Sequence, residues 1–362
     1  MIRSIRRIFQ NVSNNLAIDL GSENTVILNY RKNKGEENEI IVNPTTVAYN
    51  KTNDEIYIGE DADKLMDKTV DFNIVKPVEY GVIVNDAVAV KMIRELIAKY
   101  LKRGILSDLN FYIATPSSSN VVDNRIFKEV LYDAGASNVF MVDSTLATAF
   151  GAGLDINSER AYMILNIGSD VTEVGIVSMK NTIYQKTFKL GGQDICEALI
   201  SIIKNNYNVS IGMKTANQLL RELGTFYIDS SNAKDKVTVQ GKSFDVKDIR
   251  IAKNINIKRS EVFQAIQIVI DDLIFKINEI LDEIPSDIFT EVVNGGIYIA
   301  GGVALIDGID AFIGERLDIK STVIKNPKEA IINGLAKTIE MNFDKWVWYD
   351  NTKKHIGARA SK

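Results

Sequence analysis

Two short stretches of the chain carry residues whose types and spacing suit phosphate binding. Leu16-Ala-Ile-Asp-Leu20 runs into Gly21-Ser22-Glu23-Asn24-Thr25 and then into Val26-Ile-Leu28. Far downstream, Tyr162-Met-Ile-Leu-Asn-Ile-Gly-Ser-Asp-Val-Thr-Glu-Val-Gly-Ile-Val177 repeats the same shape. Superposing Asp19 on Asn166 aligns Gly21 with Gly168, Ser22 with Ser169 and Thr25 with Thr172. Strand, tight turn, strand is the reading of each. A turn tipped by Gly and Ser exposes consecutive backbone N–H groups that can approach phosphate oxygens closely. Two such turns facing each other would grip a polyphosphate from both sides. Asp19, just before the first turn, is placed to hold Mg²⁺ through its waters, because this ion prefers oxygen ligands and keeps most of its hydration shell. A third glycine break, Gly301-Gly302, would let backbone lie flat against a planar ring. Phosphates, metal and base together describe a nucleotide. A single Gly-Ser turn is structural more often than functional, and it is the matched pair that points to a duplicated binding device. The common phosphate loops, G-x-x-x-x-G-K-[ST] and G-x-G-x-x-G, are absent from the sequence.

Composition narrows the chemistry further. The 362 residues hold one His (His355) and one Cys (Cys196), so zinc sites, Cys-His nucleophiles and His-based triads have no residues to build on. One thiol cannot pair within the chain, in keeping with a reducing, cytoplasmic location. The net charge of −4 argues against broad nucleic-acid binding, and the length calls for more than one core. No run approaches the ~18 apolar residues of a spanning helix, and the first ten residues lack a signal peptide's apolar stretch. Those ten do place Ile2, Ile5, Ile8 and Phe9 on one side of a helix with Arg3, Arg6 and Arg7 around it, the pattern of a surface-lying membrane anchor or of a frayed basic terminus.

The elements that must position the turns interleave strands and helices. An extended segment spans 40–57, helical patterns cover 88–101 and 118–134, and a strand covers 111–116. After Gly191-Gly192, Asp194 can cap a helix carrying Ile195, Leu199, Ile202 and Ile203. Residues 216–224 read as a helix and 225–258 as small sheets. The longest helical stripe runs over 260–284, ended by Pro285, and a strand over 296–300 feeds Gly301-Gly302. An α/β architecture of two related halves is expected.

This arrangement resembles the superfamily of actin, the heat-shock chaperone ATPases and the sugar kinases, and within it the bacterial actins of the MreB type. The residues carrying the likeness are Ala17-Ile-Asp-Leu-Gly-Ser-Glu-Asn-Thr25, Val42-Asn-Pro44, Gly81-Val-Ile83, Ala134-Gly135-Ala136, Gly151-Ala-Gly153, Thr172-Glu-Val174, Leu190-Gly-Gly192, Thr215-Ala216 with Gly224, and Ala300-Gly-Gly302. The resemblance implies an actin-like (ribonuclease H-like) duplicated α/β fold, with two lobes and four subdomains around a nucleotide cleft. Subdomain IA would comprise 1–36, 81–154 and 326–345; IB, 37–80; IIA, 155–191 and 259–325; IIB, 192–258; and 346–362 would form a C-terminal tail. It also implies ATP or ADP with Mg²⁺, head-to-tail protofilaments, usually paired in the family, MreB-like paralogues as partners, and a place on the inner face of the membrane where filaments organise cell shape. Carried over by position, Gly21, Ser22, Glu23 and Asn24 form the first phosphate loop, and Gly168, Ser169 and Asp170 the second, with Gly192 beside it. Asn217, Gln218, Leu219, Leu220 and Arg221 occupy the ribose and base helix, and Gly301, Gly302, Val303, Ala304 and Leu305 the adenosine loop. Asp19 and Asn166 take the metal positions.

The chain departs from the family at its hydrolytic positions. The family's Glu-Pro before the small-residue helix is Ser144-Thr145 here, with Asp143 beside it as a candidate substitute. The second hairpin's Asp is Asn166, and the first of its two threonines is Val171. Asn bears no charge for Mg²⁺, Val cannot hydrogen-bond a water, and a Ser hydroxyl is too weak a base at neutral pH. Weak or absent hydrolysis follows. The alternatives are a fully active ATPase working through Asp143 or another base, and a monomeric nucleotide binder like the heat-shock chaperones. Glu23 and Asp170 also put carboxylates on the phosphate loops, and Leu220 stands where a Lys is usual, so nucleotide affinity is expected to be reduced. Ile105-Leu106, after Lys102-Arg103-Gly104, matches the family's membrane-inserting loop, with a packed turn as the alternative. The tail, with Trp346, Trp348 and Tyr349 followed by Lys353, Lys354, Arg359 and Lys362, suits a membrane interface, a partner protein, or packing back onto the body.

Overall fold

The computed structural model describes residues 14–30, 38–53, 55–66, 70–100, 109–116, 119–229, 231–232, 234–244, 252–341 and 348–349. The chain divides into two compact units, Met1–Asp155 with Glu329–Lys362, and Ile156–Lys328.

The first unit is built on a six-stranded sheet whose order is Trp348–Tyr349, Asn138–Asp143, Leu109–Thr115, Asn14–Leu20, Asn24–Tyr30, Glu39–Pro44. Side-chain alternation along Asn14–Leu20 sorts its residues to two faces. Leu16, Ile18 and Leu20 join Met92, Ile93, Phe127 and Leu131 in one core, beneath the helices Asp86–Tyr100 and Val121–Asp133. Ala17 joins Ala147, Ile332 and Leu335 in another, beneath Ser144–Gly151 and Ala330–Glu340. Those last two helices meet backbone to backbone: a Cβ on Gly334 would stand 1.8 Å from the Ala147 carbonyl oxygen, and one on Gly151 would stand 1.8 Å from that of Ala330. Only glycine permits that approach. A small three-stranded sheet has Val47–Asn50 at its centre, flanked by Ile56–Ile58 and Phe72–Val75.

The second unit holds a five-stranded sheet ordered Asn181–Phe188, Thr172–Ser178, Tyr162–Ile167, Ile297–Ala300, Ser321–Val323. Its core gathers Leu165, Ile167 and Ile176 with the apolar stripe of Arg259–Glu283, including Ile266, Ile270, Leu273 and Ile277. Lys236–Ser243, Ala252–Lys258 and Val209–Ser210 form the small sheet expected in this region.

Boundaries differ from the sequence reading in instructive ways. The long helix stops at Glu283, and Pro285 serves as the N-cap of a further helix, Ser286–Gly295, rather than only as a terminator. Asp194 caps its helix as expected, but from the third helical position: Gly191 is the N-cap residue, and the Asp194 carboxylate accepts its N–H at 2.7 Å. Backbone pairing of Trp348 with Met141 and Tyr349 with Phe140 makes that piece of the tail an edge strand. The rest of the tail, the amphipathic start with Ile2, Ile5, Ile8 and Phe9, and the Ile105-Leu106 loop lie outside the described residues. Among the described residues no helix is long and apolar enough to cross a membrane.

Candidate functional site

Each unit carries one glycine turn, and the two are built alike. In the first hairpin the last paired residues are Leu20 and Thr25, and the Gly21 N–H closes the turn on the Asn24 carbonyl at 3.1 Å. In the second they are Ile167 and Thr172, and the Gly168 N–H closes on the Val171 carbonyl at 2.8 Å. The threonine after each turn is fully buried and hydrogen-bonded: Thr25 Oγ1 lies 2.9 Å from Thr45 Oγ1, and Thr172 Oγ1 donates to the Leu190 carbonyl at 2.7 Å. The carbonyl of the turn glycine is also taken in both cases. Thr45 Oγ1 donates to Gly21 O at 2.7 Å, and the Gly192 N–H donates to Gly168 O at 3.0 Å.

With these carbonyls taken, amide donors of the turns are left open. The N–H groups of Ser22, Glu23 and Ser169 have no hydrogen-bond partner among the described residues, and neither does Ser22 Oγ, although Ser22 is only 8% exposed. A buried hydroxyl without a partner costs on the order of 1–3 kcal/mol, and a bound anion would relieve that cost at this turn. Asp19 is part-buried, and desolvation pushes its carboxyl up to about 6. It has no hydrogen bond or ion pair among the described residues. One lone carboxylate beside amide donors fits an Mg²⁺ that keeps its waters and is shared with phosphates, rather than an ion caged by protein. Among the described residues no cluster of three or more His, Cys, Asp or Glu could hold a metal. At the matching position of the second hairpin, Asn166 faces Glu173 across the strand pair, its Nδ2 donating to Glu173 Oε2 at 3.5 Å.

In the second unit the structure brings together segments far apart in sequence. The strand Ile297–Ala300 runs parallel to Tyr162–Ile167, with Ala300 opposite Asn166, so Gly301 arrives directly beside the second turn. A Cβ on Gly191 would stand 2.6 Å from Ser169 O, and one on Gly192 would stand 3.2 Å from Val303 Cγ2. Gly168, Ser169, Gly192, Gly301 and Val303 therefore share one neighbourhood. The helix Met213–Leu223 is tied to the same loop through its exit, where the Phe226 N–H donates to Asp307 O at 2.8 Å. Not every expected residue can present a side chain there. Leu219 is fully buried in the core and holds its helix in place, while Asn217 and Leu220 are half-buried and Gln218 and Arg221 exposed. Val303 and Ala304 are buried too, which leaves them only backbone to offer, whereas Leu305 is 57% exposed. Asp170 is buried, and its charge is one of the causes that raise the pKa of Asp194, behind desolvation.

In the first unit Asp143 ends the strand Asn138–Asp143 opposite Thr115, and its Oδ1 caps the next helix by accepting the Leu146 N–H at 2.9 Å. Ser144 is buried at the first position of that helix. Val171 contributes its carbonyl to the second turn. Two residues at the first turn escaped the sequence reading. Thr45 follows the Val42-Asn-Pro44 motif and could have been found from it; Lys76, whose Nζ lies 3.1 Å from Glu23 Oε2, is 53 positions away and gave no local signal.

Comparison with known proteins decides the family. Residues 13–346 match the MreB/Mbl protein family. The chain belongs to that family. It is 26% identical over 349 residues to the cell shape-determining protein MreB of Escherichia coli K12, covering 94% of this chain and 96% of the relative. It is 25% identical over 334 residues to the cell shape-determining protein Mbl of Bacillus subtilis, covering 91% and 96%. Among solved structures, ADP-bound MreB5 of Spiroplasma citri superposes with a TM-score of 0.83 at 21% identity, over 92% of this chain and 99% of that one. The MamK double helical filament superposes at 0.72 with 16% identity, over 90% and 99%. The fold of this MreB/Mbl member is thus the actin-like one, as the glycine hairpins and their order along the chain led us to expect.

Proposed function

We propose that this MreB/Mbl-family chain binds ATP or ADP with Mg²⁺ and assembles with itself, and with related copies, into filaments that control cell shape from the inner face of the membrane. ATP hydrolysis is slow or absent. The observation that carries the reading is the pair of like-built turns, whose glycine carbonyls are taken while amide donors stay open. One triphosphate held by the backbone of both is the use that a duplicated turn of this kind serves best. Asp19 holds the metal through water; Asn166, a neutral amide bonded to Glu173, adds no charge for it.

The relatives support the same direction. Two are named for determining cell shape, one solved structure carries ADP and another AMPPNP, and MamK forms a double helical filament. For hydrolysis, the chain's own residues weigh against a fully active ATPase. Asp143, the candidate replacement base, already uses its carboxylate as a helix cap, and Ser144 is buried. Loss of a positioned acid–base group typically costs about 10²–10⁴ in rate. A monomeric, chaperone-like role fits the family assignment least.

Membrane contact rests on the arginine-flanked start and on Ile105-Leu106. Single weak anchors of this kind gain from repetition along a filament. The test is sedimentation and electron microscopy of the purified chain with ATP, with AMPPNP and without nucleotide, beside a liposome co-sedimentation with residues 1–10 deleted. Nucleotide-bound filaments that lose liposomes on the deletion are expected; a monomer under every condition would overturn the assembly reading.

A further inference from the structure

Glu23 sets a problem for the first turn, because it puts a carboxylate where a polyphosphate is to sit. The structure pairs that carboxylate with Lys76 at 3.1 Å, with 31% of the lysine side chain and 49% of the glutamate side chain exposed. The lysine is thus partly open to solvent while it is paired. Its attachment is specific. Lys76 follows the strand Phe72–Val75, whose Val75 pairs with Val47, and Val47 lies two residues after Thr45. Thr45 is the residue that grips the same turn, through its Oγ1 to Gly21 O at 2.7 Å and its N–H to Glu23 O at 2.9 Å. Adjacent strands of one small sheet therefore fix the turn backbone at Thr45 and its charge at Lys76. The unpartnered Ser22 Oγ, in a residue only 8% exposed, lies next to Glu23 in the same turn.

We infer that Lys76 is a positioning residue for the nucleotide phosphates, exchanging the Glu23 carboxylate for a phosphate oxygen when a nucleoside polyphosphate binds. This rests on the ATP-binding reading and names a lysine that it did not include. The chemistry favours the exchange. A phosphate chain carries more charge than one carboxylate, and charge-assisted hydrogen bonds from an ammonium are among the stronger polar contacts. Glu23 then acts as a stand-in that keeps Lys76 in place while the turn is empty. It lowers affinity because it competes for the ammonium and repels the incoming charge.

The experiment is a titration of full-length protein with ATP carrying a ribose fluorophore, in Mg²⁺ at fixed salt, for wild type, Glu23→Gln, Lys76→Ala, Lys76→Arg and the double variant E23Q/K76A. Glu23→Gln is expected to tighten binding several-fold. Lys76→Ala should weaken it by about tenfold or more, the size of one charge-assisted contact, and Lys76→Arg should retain most of the affinity. The double variant decides the point: it should bind about tenfold more weakly than Glu23→Gln alone. Equal affinity of those two would mean that Lys76 only neutralises Glu23, and would overturn the exchange while leaving ATP binding intact. Absence of binding by both wild type and Glu23→Gln, with melting curves showing folded protein, would sink the exchange together with the reading beneath it.

Discussion

Gly301 leaves no room for a side chain against Ile167: a Cβ on its α-carbon would stand 2.2 Å from the Ile167 carbonyl oxygen and 2.8 Å from Asn166 Oδ1. Its φ of +88° is a further demand for glycine. Its neighbour Gly302 has nothing within 4 Å of an added Cβ. The two glycines therefore make different predictions. Gly301→Ala should destabilise the second unit by about 2–4 kcal/mol, combining backbone strain with overpacking, visible as a lowered urea midpoint. Gly302→Ala should leave the midpoint unchanged and weaken nucleotide binding, since the open space beside it is where a ligand would pass.

Asp19 gives the pH dependence. Burial raises its carboxyl from the ordinary 3.8 to about 6, so the folded chain holds that proton more tightly than the unfolded chain. Its contribution to stability is therefore present below about pH 4 and is lost as pH rises through about 6. The loss amounts to at most about 3 kcal/mol. Asp19→Asn should melt higher than wild type at pH 7.5, with the difference vanishing near pH 4. On the proposed role of Asp19, proton and Mg²⁺ compete for one carboxylate, and Mg²⁺-dependent ATP binding by wild type should weaken as pH falls below 6.

Asn166 tests the second hairpin. Its amide faces the Glu173 carboxylate across the strand pair, and Glu173 is 8% exposed. Asn166→Asp would set two carboxylates against each other in a poorly solvated place. A loss of about 1–3 kcal/mol at neutral pH is expected, read by urea denaturation, and the double variant N166D/E173Q should recover most of it. An unchanged midpoint in Asn166→Asp would mean that the pair is not in contact.

The hairpins were legible because a turn of this kind needs glycine and a small hydroxyl residue at fixed offsets from two apolar strands, and both copies keep them. The long helix 259–283 was legible from its apolar stripe. The helices Ile309–Leu317 and Ala330–Glu340 were not read from the sequence, although the second packs against the sheet bearing Asp19. Their place is set by long-range packing, as at Gly334 against Ala147, which no local pattern announces. Leu219 shows the converse. Its place in the helix Met213–Leu223 was legible, but which side of the helix meets the core is decided by tertiary contacts. Thr45 and Lys76 reach the first turn through a strand pairing at Val47 and Val75, which links residues that are distant along the chain.

Hydrolysis can be measured without reference to assembly. Single-turnover phosphate release from this chain should be at least about 10²-fold slower than from an MreB that keeps the acid and both threonines. Equal rates would show that another group orients the water.

The central claim is that both turns serve one nucleotide. Isothermal titration of ATP with Mg²⁺ into wild type, Gly21→Ala and Gly168→Ala tests it most directly, because a Cβ at these positions would press on the turn-closing carbonyls at 3.0 and 2.9 Å. One site per chain is predicted, with affinity lost in each variant while circular dichroism shows both still folded, at melting temperatures lowered by the strain on the turn. Two independent sites, or full affinity in either variant, would contradict it.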